Sequence, residues 1–154
     1  MNRAILLAAA AAAMLVVGGC QSSSLDTTMT TALPPKGDVS ATDLSVGKAQ
    51  FNDGNYGLAE AHFRKAVELN ASNAEAWMGL AASYDQLGRF DFSDRAYDQL
   101  LKLAGRDPRV VNNMGYSQLL RGNKKEARKL LMEARKGMAD PRMVDANLEL
   151  LKKV

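Results

Sequence analysis

The chain has 154 residues, a length that permits one domain, with 47% apolar and only 6% aromatic side chains. Ala and Leu dominate the apolar set and β-branched runs are scarce, which favours helices over sheet. A net charge of +3 is too small to imply a nucleic-acid partner. That charge is unevenly spread: residues 20–100 carry 6 basic and 11 acidic side chains, a net of −5, whereas residues 101–154 carry 13 and 6, a net of +7.

Residues 1–19 have the layout of a secretory signal and are set apart from the fold. Arg3 supplies a short positive region, Ala4 to Val17 an apolar one, and Gly18 and Gly19 lead to Cys20, the single cysteine of the chain. The apolar run stops short of the roughly 20 residues that span a bilayer. One cysteine cannot form an internal disulfide. The run Val17-Gly18-Gly19-Cys20 resembles a bacterial lipobox, in which small residues fit a protease site and the thiol takes a lipid. The resemblance implies lipidation of Cys20 and stable anchoring by several acyl chains. The competing reading is an ordinary signal with a chance cysteine. By analogy with Gram-negative lipoproteins, Gln21 in place of Asp implies sorting to the outer membrane, with the protein facing the periplasm. Gln21 to Asp38 is Ser/Thr-rich, holds Pro34-Pro35 and has almost no apolar periodicity. It cannot bury enough surface to offset its ordering entropy. Residues 20–39 are therefore expected to be a flexible tether, with an end-to-end distance of roughly 25 Å.

From Ser40 the chain repeats. Gly54, Gly88 and Gly122 are 34 residues apart, and the same step links Ala59, Ser93 and Ala127, then Phe63, Tyr97 and Leu131, then Ala66, Leu100 and Ala134. A 34-residue period with a turn glycine in its middle is the signature of the tetratricopeptide repeat (TPR). Trp77, Leu80, Tyr84, Gly88, Tyr97 and Pro108 match that family's pattern, as do Asn113-Met114-Gly115, Gly122, Ala127 and Ala134. The resemblance implies an all-α fold: a right-handed superhelix of three helix-turn-helix repeats (40–73, 74–107, 108–141), followed by a capping helix at 142–153. Small residues such as Gly47, Ala81 and Gly115 let paired helices approach, and the mid-repeat glycines permit positive φ at helix ends. Pro108 suits the first turn of a helix, where its missing N–H costs little. The first repeat departs from the pattern, with Asp43 where a bulky residue is usual and Gln50 where Tyr is usual. Its first helix is expected to be the least stable, as a terminal repeat with a polar outer face.

In the TPR family the first helix of each repeat lines a concave groove. Carried over by register, the groove set is Leu44, Lys48, Phe51 and Asn52, then Glu75, Met78, Asp85 and Gln86, then Arg109, Asn112, Tyr116 and Leu119. Phe51, Met78, Tyr116 and Leu119 are candidates for receiving apolar anchors of a bound segment. Lys48, Arg109 and the Asn side chains are candidates for its backbone or a carboxylate. The alternative for Phe51 and Leu119 is burial against neighbouring helices. The set of Lys, Asn and Arg positions that grips chaperone C-termini is not matched.

A second candidate surface is basic. Arg121, Lys124, Lys125, Arg128, Lys129, Arg135 and Lys136 recur at spacings of 3 and 4 and predict a ridge on the convex side. It is either a solvated face or a site for an acidic partner or phospholipid head groups. Enzymatic chemistry finds little support. His62, the only histidine, falls at a variable position and reads as an exposed surface residue. No Gly-x-Ser-x-Gly or phosphate loop occurs. No cofactor, metal or small-molecule substrate is expected.

Lipobox, short tether and repeat array together resemble outer-membrane lipoproteins of secretion and pilus systems. Val111-Asn112-Asn113-Met114-Gly115 through Leu148 is most similar to the TPR lipoprotein of the tight-adherence (Tad/Flp) pilus, TadD-type. This resemblance implies a scaffold, not an enzyme, with protein partners such as a secretin or pilus component, and a pilotin-like aid to the secretin. The alternative is a periplasmic adaptor for cell-wall or outer-membrane-protein assembly.

Overall fold

The structure, a computed structural model, describes residues 38–153. The signal, Cys20 and nearly all of the expected tether lie outside the described residues. Within them every regular element is a helix: α1 Ala41–Asn52, α2 Tyr56–Leu69, α3 Ala74–Gln86, α4 Phe90–Ala104, α5 Pro108–Leu120, α6 Lys124–Gly137 and α7 Arg142–Lys153. α1 and α2, α3 and α4, and α5 and α6 pair as hairpins. α1, α3, α5 and α7 also touch one another in sequence, so the odd-numbered helices lie side by side along one face.

The hairpin turns are alike because their glycines are. Gly54, Gly88 and Gly122 have φ of 77°, 68° and 78°, a region that costs a side chain dearly and glycine little. The residue after each glycine donates its N–H back into the preceding helix: Asn55 to the Gln50 carbonyl at 2.9 Å, Arg89 to Tyr84 at 2.8 Å and Asn123 to Gln118 at 2.9 Å. These bonds satisfy carbonyls that the helix end would otherwise leave open. Side chains cap three helix starts among the described residues: Asn73 accepts from the Ala76 N–H at 3.0 Å, Asp107 from the Arg109 N–H at 2.8 Å and Asp140 from the Arg142 N–H at 3.2 Å. Pro108 is the first residue of α5.

Three apolar clusters run through the stack. Phe63, Val67 and Leu80 centre the first, Tyr97, Leu100 and Val110 the second, and Val111, Leu131 and Val144 the third. Close helix approach is visible at two equivalent sites. A Cβ on Gly47 would come within 2.9 Å of the Phe63 ring, and one on Gly115 within 2.9 Å of Leu131.

Two expectations about the first repeat need correction. Asp38, placed in the tether, is tied into the helical body: its carboxylate accepts from the Ser40 N–H (2.9 Å) and hydroxyl (2.6 Å) and from the side-chain amides of Asn70 (3.0 Å) and Asn73 (3.1 Å). It joins the start of α1 to the α2–α3 connection. His62 is half-buried and paired, not a bare surface residue. Its Nδ1 lies 3.0 Å from Asp43 Oδ1, and Lys65 Nζ lies 3.1 Å from Asp43 Oδ2. The polar residue at a position usually bulky is therefore buried with two cationic or hydrogen-bonding neighbours, as a buried carboxylate requires.

Candidate protein-binding groove

The face formed by the odd-numbered helices carries two open depressions that share Phe51, Ala82 and Asn113 and so form one groove. Their volumes, about 210 and 320 Å³, suit one or two side chains each and sit at the low end for small-molecule pockets. The first is lined by Lys48, Phe51, Asn52, Glu75 and Met78, with Phe63, Gly79 and Ala82 at its floor. The second holds Phe51, Asp85, Gln86, Asn112 and Tyr116, with Met143 and Asn147 from α7. Helical spacing places these residues: Met78, Ala82, Asp85 and Gln86 recur at three and four along α3 and point to one side.

Most of the expected groove residues are thus brought together, and three are not. Leu44 lines neither depression and packs against the first apolar cluster. Arg109 lines neither depression; it is exposed and turned back to Asp107, with Nε 3.1 Å from the carboxylate. Leu119 also lines neither and is half-buried. Lys48 and Glu75 cancel each other across the lip, with Nζ 2.7 Å from Oε1. Sequence reasoning missed Gly79, Ala82 and Asn113, and also Met143 and Asn147. Ala82 and the glycine give no side-chain signal beyond their register. Met143 and Asn147 were findable: α7 is the first half of a further repeat, so the register that placed Glu75 and Arg109 also places Met143.

Asp85 and Asn112 line the groove, but from beneath. Asp85 is 4% exposed. Its Oδ1 accepts from the hydroxyls of Ser93 (2.6 Å) and Ser117 (2.7 Å), and its Oδ2 from Tyr97 (2.9 Å). Burial pushes the carboxyl up from its ordinary range, and the three hydroxyls with Arg121 draw it part of the way back. Burial beside this carboxylate drives the Tyr97 phenol well above the ordinary range. With both oxygens already accepting from hydroxyls, Asp85 links α3, α4 and α5 and is not available to a ligand as a free charge. Asn112 is 2% exposed and its Oδ1 accepts from Asn147 at 3.0 Å.

Arg121 completes this junction and leaves the basic ridge. Its guanidinium bonds Asp94 at 2.6 and 2.9 Å, lies 4.8 Å over the Phe90 ring and reaches to 3.9 Å from Asp85. Its bonds to Asp94 hold it charged, above its ordinary value.

A family model for the tetratricopeptide repeat matches residues 51–112. The fold is that of a TPR array. PilF of Pseudomonas aeruginosa is 28% identical, with a TM-score of 0.64 over 74% of this chain. The chain spans about half of that protein, 52% of its length. The Yersinia enterocolitica type III secretion chaperone SycD, solved with a peptide of the translocator YopD, is 22% identical, with a TM-score of 0.63, covering 76% of this chain and 95% of that one. The first TPR domain of RPAP3 (Spaghetti), bound to the HSP90 peptide SRMEEVD, is 15% identical, with a TM-score of 0.63, covering 74% and 90%. No curated protein matches the chain. A TPR scaffold that mediates protein–protein interaction is the coarse function these findings support.

Proposed function

We propose that this TPR protein is an envelope lipoprotein, anchored through Cys20 to the outer membrane and facing the periplasm. In this reading its groove holds a segment of a pilus or secretion component, and it serves assembly of a Tad/Flp-type machine as a pilotin-like aid to the secretin. The observation that carries the binding part is the groove itself: an apolar lining of Phe51, Met78, Ala82 and Tyr116 from three helices, edged by the amides of Asn52, Gln86 and Asn113 and by the mutually neutralised Lys48–Glu75 pair. Such a lining accepts apolar anchors spaced along a peptide or helix, and the amides pair with its backbone. A type III secretion chaperone of the same fold was solved with a translocator peptide, which is the class of occupant proposed. The lipobox-like Val17-Gly18-Gly19-Cys20 supports the anchor.

The test is a crosslinking pull-down from intact cells with Cys20 preserved. A secretin or pilus component is expected in the eluate, and Met78→Glu with Tyr116→Glu is expected to remove it while the chain keeps a cooperative thermal melt above the temperature of the capture, lowered because Met78 also packs against the second apolar cluster. Both side chains are half-buried at the groove surface, so the melt distinguishes lost binding from lost fold. Cell-wall or outer-membrane-protein assembly factors in place of a secretin would overturn the machine assigned. Undiminished capture by the double variant would overturn the site.

A further inference from the structure

The outer face of α6 carries a stripe that the repeat does not require. Lys125, Arg128, Lys129, Met132, Arg135 and Lys136 are all exposed. At 100° per residue they fall within an arc of about 120°. Met132, 45% exposed, sits at its middle, and the buried Ala127, Leu130, Leu131 and Ala134 occupy the opposite face. The preceding repeats provide an internal comparison, because the same six positions recur one and two periods earlier. On α4 they hold Asp91, Asp94 and Asp98 against Arg95 and Lys102, and on α2 they hold Glu60 and Glu68 against Arg64. Each of those ridges is net −1, and that of α6 is net +5. Packing accounts for part of the difference, since the position of Arg135 holds the buried Val67 on α2 and the half-buried Leu101 on α4. The positions of Lys125, Lys129, Met132 and Lys136 are exposed in all three helices, and there α6 alone carries a net positive charge.

Among the described residues, close ion pairs join Lys129 to Glu126 at 3.0 Å and Arg135 to Asp145 at 2.6 Å, and Lys136 lies in the field of Glu133. The four side chains of the close pairs are about half exposed or more, and exposed pairs contribute little, so they yield readily to a stronger field. The stripe stands on the outside of one helix, and its side chains diverge. Diverging cations cannot close on one small anion. Each can meet a separate headgroup on a flat anionic array, with the apolar Met132 entering between them.

We infer that the α6 ridge is a docking face for an anionic phospholipid surface. The groove lies on the odd-numbered helices and the ridge on the outer side of an even-numbered one, so a protein resting on this ridge presents its groove to the aqueous side. The inference does not rest on the proposed lipid anchor, and the experiment leaves that anchor out.

The chain from Gln21 onward, which keeps the whole helical body and its core, is sedimented with vesicles. One set holds one part phosphatidylglycerol to two parts phosphatidylcholine, and the other phosphatidylcholine alone. Binding is expected to the anionic set only at about 50 mM salt, and to vanish by about 500 mM, where screening is several-fold stronger. Reversing Lys125, Arg128 and Lys136 together (K125E, R128E, K136E) should weaken it at least about tenfold, while Lys102→Glu on the α4 ridge leaves it unchanged. The salt series needs no variant and stands even if the triple change disturbs folding. Equal binding to neutral vesicles, no binding to either set, or full binding by a folded triple variant would overturn the inference. So would capture of a polyglutamate peptide by the ridge without vesicle binding, which would assign it to an acidic protein segment.

Discussion

At the scale of single residues, the informative side chains are buried and charged. Asp43 occupies a position where the repeat favours a bulky apolar group, and it is kept by His62 and Lys65. The hydrogen bond from His62, and then that from Lys65, holds its carboxyl below the ordinary 3.8. A carboxyl whose folded value is depressed contributes stability that is full above the unfolded value and fades as pH falls through the folded one. The gap in melting temperature between the natural chain and Asp43→Asn should therefore be widest near neutral pH and narrow as pH falls below 3.8; a gap constant into acid would show that the pair does not stabilise the fold. Asp43 was legible as an anomaly, but its partners were not, because they come from the facing helix 19 and 22 residues on. Asp85 is the same lesson inside the groove: its spacing along α3 places it correctly, while the hydroxyls that consume its charge come from α4 and α5.

At the scale of elements, the glycines separate two kinds of work. Gly54, Gly88 and Gly122 recur at one spacing and end helices, a role visible in the sequence because only glycine takes that φ without strain. Gly79 lies mid-helix, and its reason is tertiary: an added Cβ would run into the buried Phe63 ring from α2. Alanine there recovers up to about 1 kcal/mol of helix propensity and incurs overpacking of about 1–3 kcal/mol. The expected net is a loss of about 1 kcal/mol in urea unfolding. Gly57, with open space around its Cβ position, is the matched control, and Gly57→Ala should be neutral or gain a few tenths of a kcal/mol. A stabilising Gly79→Ala would mean that the Phe63 ring gives way. The helix pairs themselves were readable from the 34-residue period, since each periodic stretch ends at a turn residue whose chemistry is local.

For the whole molecule, cooperation between neighbouring repeats decides stability. α7 covers the last cluster, with Val144 and Leu148 against Val111, Leu130, Leu131 and Ala134. Ending the chain after Pro141 should cost about 3–5 kcal/mol, since at least two large apolar side chains and their footprint return to water. The same deletion removes Met143 and Asn147 from the groove, so partner capture should fall even at temperatures where the shortened chain stays folded. An unchanged urea midpoint would show that the third repeat stands without its cap.

By itself the sequence determined the all-helical class, the repeat period, the turn glycines and most of the groove face. Each of these follows from spacing along one helix or from the backbone freedom of one residue. Only the tertiary structure decided which groove residues are open and which are spent. It turned Arg109 back onto Asp107, buried Asp85 and Asn112 beneath the surface, drew Arg121 out of the basic ridge and into the junction with Asp94, and tied Asp38 to Asn70 and Asn73. The physical reason is common to them: a polar group removed from water takes whichever partner the neighbouring element offers, and that partner lies up to a repeat away along the chain.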